Sequence, residues 1–308
     1  MRKSWILVWS MIFAVCMATG ATLYAQLPNS TVNGSVKDPQ GAPIAGAQVT
    51  IVNIAQGVSR EVATNAQGLY VIPYLPIGRY DMKIVESGFE TVEFQGITLE
   101  AGKTITLNRT LSIARANTVA HVTAANQSIN LSQSMIQGQI TSTTIQSMPL
   151  NGRNFLELAY LIPGNRPAPT FDPTKTNTLE ISSAGGFGRG GNITVDGADN
   201  NDEVVGGTLS NFPIDSIAEF QIATARFTSE VGRSGNSIVN IVTKSGANTL
   251  HGSLFFYERN RNLQALPATL NRNLPTPPFD REQYGGSVGG PVKTNRAWWF
   301  TAFEYRDQ

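Results

Sequence analysis

The chain has 308 residues, of which 41% are hydrophobic and only 15% are charged, and its formal net charge is +1. Nucleic-acid binding requires a strongly basic surface, so this charge balance excludes a nucleic-acid partner from our expectations. Its 29 glycines and 16 prolines are spread along the chain and favour many short strands over long helices. The composition therefore predicts a mainly β protein with room for two or three domains.

Residues 1–25 have the pattern of a secretory signal peptide. Two basic residues open the chain, an apolar run spans 5–18, and small residues follow up to Ala25. The apolar run is too short for a membrane-spanning helix, so cleavage is expected, after Ala25 or alternatively after Ala21. Cys16, the chain's only cysteine, lies in this leader. The mature chain is therefore expected to have no disulfide and no cysteine metal site.

Residues 31–111 contain short alternating segments separated by turn residues, which is the pattern of a β-sandwich. Strands are predicted at 32–36, 48–52, 69–72, 80–86 and 103–111. The phrases GSVKDPQGAPIAGAQVTI and TNAQGLYVIPYLPIGRYDMKI resemble the carboxypeptidase regulatory-like domain. That resemblance implies a prealbumin-like, or carbohydrate-binding-like, β-sandwich.

Residues 112–129 lose this alternation and are predicted to be a linker. Within it, NTVAHVTA at 117–124 resembles the TonB box of TonB-dependent outer-membrane transporters, an extended segment that pairs edge-on with a strand of TonB. The resemblance implies four candidate contacts with TonB: Thr118, Val119, Val122 and Thr123. Ala120 and His121 interrupt the valine run of the family's box, so an ordinary interdomain linker is an equal alternative.

Residues 130–248 contain four phrases that resemble, in order, the plug domain of the Oar-like group of these transporters. The phrases are PLNGRNF at 149–155, GNITVDG at 191–197, PIDSIAEF at 213–220 and SIVNIVT at 237–243. Short helices are predicted at 143–148 and 154–161, each followed by a proline. The resemblance implies an α+β plug domain.

Residues 249–308 resemble the start of an outer-membrane β-barrel. Strands are predicted at 250–258, 283–290 and 297–306. The connection at 291–296 is short and the one at 259–281 is long, and outer-membrane barrels have short turns on one side and long loops on the other. Five aromatic residues fit an interface girdle: Trp298, Trp299, Phe300, Phe303 and Tyr305. The alternation does not decide which face of these strands meets lipid.

Four plug-loop residues are the candidate contacts for an imported ligand: Arg153, Arg189, Asp196 and Asp199. Two of them belong to an acidic loop at 196–203, whose spacing lacks the order of an EF-hand, so a solvated turn is preferred to a calcium site. No metal site is expected.

Three matches to catalytic or cofactor motifs are rejected. The G-x-G-x-x-G at 186–191 is followed by a predicted strand, whereas phosphate binding requires a helix there. The G-x-S-x-G at 285–289 is followed by Pro291, and no histidine remains downstream. The chain's two histidines, His121 and His251, do not form the zinc-binding pair of a metallocarboxypeptidase. Neither an enzyme nor a cofactor is expected.

Together the resemblances imply a TonB-dependent importer in the cell outer membrane, with the plug and the sandwich on the periplasmic side. The implied partners are TonB with its inner-membrane energising complex, outer-membrane lipid, and an imported ligand such as an oligosaccharide or a siderophore. Three strands cannot stand alone in lipid, and the chain ends without a terminal aromatic residue, so we expect it to be the N-terminal part of a longer protein. The alternative is a secreted or surface carbohydrate-binding module without transport.

Overall fold

The computed structural model describes most of the chain. The described residues are 29–114, 119–123, 136–150, 152–168, 170, 179–227, 232–263 and 279–308. The predicted signal peptide and Thr118 lie outside them. Below, residues 31–111 are called the sandwich, 130–248 the plug segment and 249–308 the barrel segment. No helix in the described ranges has the length and apolar character to cross a membrane.

The sandwich consists of two sheets over one core, which confirms the predicted β-sandwich. Its strands are β1 Ser30–Lys37, β2 Gln48–Asn53, β3 Ser59–Ala63, β4 Leu69–Leu75, β5 Gly78–Val85, β6 Thr91–Leu99, β7 Thr104–Thr106 and β8 Arg109–Thr110, and a further strand, β9 Val119–Thr123, extends one of its sheets. One sheet has the order β4-β1-β7, with β8 also paired to β1, and the other has the order β3-β2-β5-β6-β9. Alternate side chains point inwards, and Val32, Ile51 and Ile84 are fully buried between the sheets.

Strand β9 departs from the prediction, because it lies inside the predicted linker. It runs parallel to β6, in register from Thr91 with Val119 to Gln95 with Thr123. Without β9, this side of β6 would present unpaired N–H and C=O groups. The short segment therefore completes the sheet, although its own pattern is too brief to predict a strand.

The plug segment is a mixed sheet covered by short helices, in agreement with the predicted α+β plug. Its elements are β10 Ile136–Thr141, α1 Ser142–Ser147, a 3-10 helix Phe155–Leu161, β11 Asn165–Ala168, β12 Glu180–Ser183, β13 Asn192–Val195, β14 Ala198–Asp199, a 3-10 helix Ile214–Ser216, β15 Ile217–Ala225 and β16 Ile238–Thr243. The main sheet has the order β10-β15-β16-β13-β14, while β11 and β12 form a separate pair. Phe155 and Phe220 are fully buried in the core.

The barrel segment is a three-stranded antiparallel sheet. Its strands are β17 His251–Asn260, β18 Asp280–Lys293 and β19 Ala297–Asp307, in the order β17-β18-β19. Residues 294–296 turn between β18 and β19 at the end where β17 begins, and this is called the short-turn end. Residues 261–279 connect β17 to β18 at the opposite, long-loop end. Because β16 leads into β17, Thr243 at the end of β16 lies towards the short-turn end.

Candidate functional site

Arg153 joins the plug segment to the barrel segment. Its guanidinium forms an ion pair with Asp215 of the plug segment, and its Nε lies 3.3 Å from Oε2 of Glu304 in β19. The guanidinium carbon is 3.9 Å from the ring centroid of Phe255 in β17, a cation–π contact. These four residues are called the Arg153 cluster. Because the ionised side chains are 12–17% exposed, their attraction is less screened than that of a surface pair.

The local sequence fixes Arg153 at this position. Its φ of 52° is uncommon for a residue other than glycine and turns the chain sharply before the 3-10 helix. Asn154 then caps that helix, since its Oδ1 accepts a hydrogen bond from the Leu156 N–H at 2.9 Å. Phe155 and Leu156 are fully buried, so the helix is anchored in the plug core. The NGRNF phrase therefore presents one arginine from a rigid support.

A cavity of about 520 Å³ lies beside the Arg153 cluster, between the plug and barrel segments. It is lined by apolar residues of the plug segment such as Ile145 and Leu150, and by polar and charged residues such as Gln283 and Arg281. The sequence indicated neither Asp215 nor Glu304 as a partner of Arg153. These residues are 62 and 151 positions away along the chain.

Asn248 ties the end of the plug segment to the first barrel turn. Its Oδ1 accepts hydrogen bonds from the Asn295 N–H and from Nε1 of Trp298, both at 2.9 Å. Its backbone N–H donates to the carbonyl of Ala55 in the sandwich at 3.0 Å. One side chain and one amide thus connect three segments at the short-turn end, and we call this contact the Asn248 junction.

The two faces of the barrel strands have different chemistry. One face carries exposed apolar and aromatic residues: Leu254, Phe256, Tyr284, Trp299, Phe303 and Tyr305. The opposite face carries Ser253, whose Oγ lies 3.0 Å from Oγ of Ser287, together with Gln283 and Glu304. The polar face therefore meets the plug segment. Of the five aromatic residues predicted as a girdle, Trp299, Phe303 and Tyr305 are exposed, whereas Trp298 and Phe300 are half-buried on the polar face.

A second cavity, of about 260 Å³, lies in the plug segment around the starts of β13 and β16 and is called the plug pocket. Its lining includes Glu180, Arg189 and Arg233. The Glu180 side chain is only 3% exposed, and Oε1 of this residue is 4.0 Å from Nε of Arg189. Arg233 forms ion pairs with Asp199 and Glu203 at the rim. The pocket therefore contains charges of both signs.

The structure separates the four predicted ligand contacts. Arg189 lines the plug pocket and Asp199 lies beside it, where the Asn201 N–H and side chain, and then the Arg233 guanidinium, hold the pKa of Asp199 below its ordinary value. Asp196 lies at the other end of β13, and its carboxylate accepts hydrogen bonds from the Thr243 N–H at 2.9 Å and hydroxyl at 2.6 Å. Arg153 belongs to the Arg153 cluster. Arg189 and Asp199 thus come together, while Asp196 and Arg153 have structural partners elsewhere.

The candidate TonB contacts divide in a different way. Thr118 lies outside the described residues. The other three belong to β9, whose backbone is paired with β6: Val119, Val122 and Thr123. The predicted segment is thus extended, as pairing with another strand requires, but one of its edges is already occupied by the sandwich.

The rejected motif matches also have a structural context. The strand predicted after 186–191 is present as β13, so this glycine-rich loop does not begin a helix. Residues 285–289 lie within β18, a continuous strand. A nucleophile elbow requires a sharp turn from a strand into a helix at this position.

Comparison with known proteins finds family models for two parts of the chain. Residues 31–112 match the family model of the carboxypeptidase regulatory-like domain, and residues 242–308 match that of an outer membrane beta barrel domain. The TonB-dependent transporter Oar of Myxococcus xanthus is 26% identical over 307 residues, which cover 95% of this chain and 28% of that protein. The chain thus spans about a quarter of the length of this relative.

Two solved receptors are similar over about half of the chain. The ferric enterobactin receptor PfeA of Pseudomonas aeruginosa, as its R480A mutant with enterobactin, aligns with a TM-score of 0.41 and 18% identity over 56% of this chain and 25% of that one. The siderophore receptor PirA of Acinetobacter baumannii aligns with a TM-score of 0.39 and 18% identity over 55% and 24%. Scores this low decide neither fold nor function. The chain is thus similar in sequence to a TonB-dependent transporter, and it has one segment that matches a carboxypeptidase regulatory-like domain and one that matches an outer membrane beta barrel domain.

Proposed function

We infer that the chain is the N-terminal part of an outer-membrane importer in which the plug segment closes a β-barrel and TonB supplies the energy for opening. The observation that carries this proposal is the two-faced barrel sheet. Its apolar face suits lipid, and its polar face holds the plug segment through the Arg153 cluster. No covalent chemistry is required, so the proposed protein is not an enzyme.

The proposed orientation follows from the connections between strands. Short turns of outer-membrane barrels face the periplasm and long loops face the outside. The sandwich contacts the short-turn end through the Asn248 junction and is therefore assigned to the periplasm, after removal of the signal peptide. The plug pocket lies around the start of β16, at the end of that strand away from the connection to β17, and we assign it to the external side, from which a ligand arrives.

The proposed ligand contacts are Arg189 and Asp199 at the plug pocket. Side chains of both signs suit a polar, multiply hydrogen-bonding ligand such as an oligosaccharide or a siderophore. Arg153 and Asp196 are not retained in this proposal, because their side chains are engaged with the barrel segment and with Thr243.

Deletion of 117–124 from the complete protein tests the importer proposal. Energised uptake of labelled oligosaccharides and siderophores should be abolished, and retention of the purified periplasmic domain of TonB should be lost, while ligand binding to cells persists. A deletion of equal length at 261–268, in the long-loop connection, is the control for TonB retention. Undiminished TonB retention after deletion of 117–124 would remove this segment as the contact.

A further inference from the structure

One loop of the sandwich is hydrogen-bonded to the plug sheet. The Ala101 N–H donates to Oε1 of Glu219 at 3.1 Å, and the Ala101 carbonyl accepts from Nε2 of Gln221 at 2.7 Å. Gln221 also donates to Oε1 of Glu219 at 2.6 Å, which closes a ring of three hydrogen bonds. Ala101 is 1% exposed and Glu219 4% exposed. Two polar side chains of β15 are therefore buried against a sandwich loop and are satisfied there.

A second sandwich loop is hydrogen-bonded to residues 244–250, which connect β16 to β17 and are called the plug–barrel connection. Nε2 of Gln56 donates to the Gly246 carbonyl at 3.1 Å and to Oγ of Ser245 at 3.3 Å, beside the Asn248 junction. Gly57 fits closely against the barrel turn, because a Cβ at this position would lie 2.3 Å from Oδ1 of Asn295. The loop therefore follows the surface formed jointly by the end of the plug segment and the first barrel turn.

We propose that the sandwich is a clasp, which holds the plug segment in place by binding the plug sheet at Ala101 and the plug–barrel connection at Gln56. A single sandwich core supports both loops, so movement of the plug sheet relative to the barrel turn must break at least one of the contacts. The clasp is a contact within the chain and does not depend on transport. Only its consequence for opening of the plug segment rests on the proposed function.

The buried carboxyl of Glu219 makes the clasp sensitive to pH. The pKa of Glu219 is raised to about 7, chiefly by burial and to a lesser degree by the nearby charge of Glu100, while the Ala101 N–H, Gln221 and Lys103 act in the opposite direction. Because the pKa in the clasped state exceeds the ordinary value of 4.5, the neutral carboxyl favours the clasp. The stabilisation is complete below about pH 4.5 and is lost as the pH rises through 7.

Hydrogen–deuterium exchange of the complete protein in detergent tests the clasp from both sides. Glu219→Ala, in the plug segment, should raise amide exchange in sandwich residues 100–103 at least about tenfold, because the Ala101 N–H loses its acceptor. Gln56→Ala, in the sandwich, should raise exchange in residues 244–248. Each variant is thus read in the segment that it does not alter. Glu203→Ala, in the loop after the edge strand β14, is the matched control and should leave both segments unchanged.

The pH arm uses the unaltered protein and Glu219→Gln. After correction for intrinsic exchange rates, protection of residues 100–103 should fall between pH 5 and pH 8 in the unaltered protein and stay constant in Glu219→Gln. The clasp is overturned if neither Glu219→Ala nor Gln56→Ala raises exchange in the opposing segment. Its failure is distinct from failure of the importer proposal, because no step of the experiment measures transport.

Discussion

Arg153 shows how a single side chain can connect segments that are far apart in the sequence. The PLNGRNF phrase indicated a plug loop, and a charged loop residue is an ordinary candidate for a ligand contact. The structure instead surrounds Arg153 with Asp215, Glu304 and Phe255. None of these neighbours is adjacent to it in sequence, so no local pattern could indicate the ion pairs.

Replacing Arg153 with alanine should destabilise the seating of the plug segment. The change removes the ion-pair partner of the Glu304 and Asp215 carboxylates in a low-exposure site, which typically costs about 3 kcal/mol. Urea unfolding in detergent measures the loss. Lys83→Ala is the control, because its ion pair with Glu93 joins side chains that are 51% and 29% exposed, and it should cost less than about 0.5 kcal/mol. Equal losses in the two variants would contradict the role given to the Arg153 cluster.

Asp196 and Asp199 should respond differently to substitution, although they were predicted together. Asp196→Ala removes two hydrogen bonds to Thr243 and places alanine at a φ of 50°, so a loss of about 2 kcal/mol is expected. Asp199→Ala removes an exposed ion pair with Arg233 and should cost less than about 0.5 kcal/mol. The free energies of unfolding decide the matter, and the reverse order would refute the structural role of Asp196.

At the scale of elements, the sequence predicted most strands of both sheets but not their partners. The β-branched run 237–243 and the aromatic run 297–306 became β16 and β19 within one or two residues, because alternation and β-branched content act locally. The predicted helix at 154–161 is a 3-10 helix instead, since seven residues between a cap and Pro163 leave little length for an α-helix. Strand β9 was missed because its pairing depends on an open edge of β6.

A disulfide between β9 and β6 tests whether TonB pairs with β9 in place or only after β9 has left the sandwich. Glu93 and His121 are register partners, and neighbouring strands lie about 4.8 Å apart, within the range that a disulfide can bridge. The double variant Glu93→Cys/His121→Cys should, when oxidised, still retain the TonB periplasmic domain, because β6 is the only partner of β9 among the described strands and the outer edge of β9 can receive another strand. Retention that appears only after reduction would mean that β9 must leave the sandwich first. The same double variant in a Cys16→Ser background controls for disulfides formed with the cysteine of the predicted signal peptide.

At the scale of the whole molecule, the order of sandwich, plug and barrel strands came from phrases in the sequence, but the way they fit together did not. The Asn248 junction illustrates the difference. The sequence placed Asn248 between the SIVNIVT phrase and the strand predicted at 250–258, whereas its hydrogen bonds to Ala55 and Trp298 depend on folds formed 193 residues before and 50 residues after it. Contacts of this kind carry no local signature, so the clasp emerges only from the structure.

A charge on the apolar face of the barrel strands should impair insertion. Leu254 is 92% exposed in the described chain, and an arginine near the bilayer midplane of a barrel costs about 2–4 kcal/mol. Leu254→Arg should therefore lower the yield of protein folded into lipid vesicles, whereas Leu254→Phe keeps the surface apolar and should fold normally. Equal yields for the two variants would argue that this face does not meet lipid.

Spin-label accessibility in the complete, lipid-reconstituted protein tests the membrane assignment most directly. Labels are placed at Leu254→Cys and Phe303→Cys on the apolar face, and at Ala302→Cys on the polar face, in a Cys16→Ser background. The account predicts high accessibility to oxygen and low accessibility to a water-soluble nickel complex at the first two positions. High nickel accessibility with low oxygen accessibility at both Leu254→Cys and Phe303→Cys would contradict it.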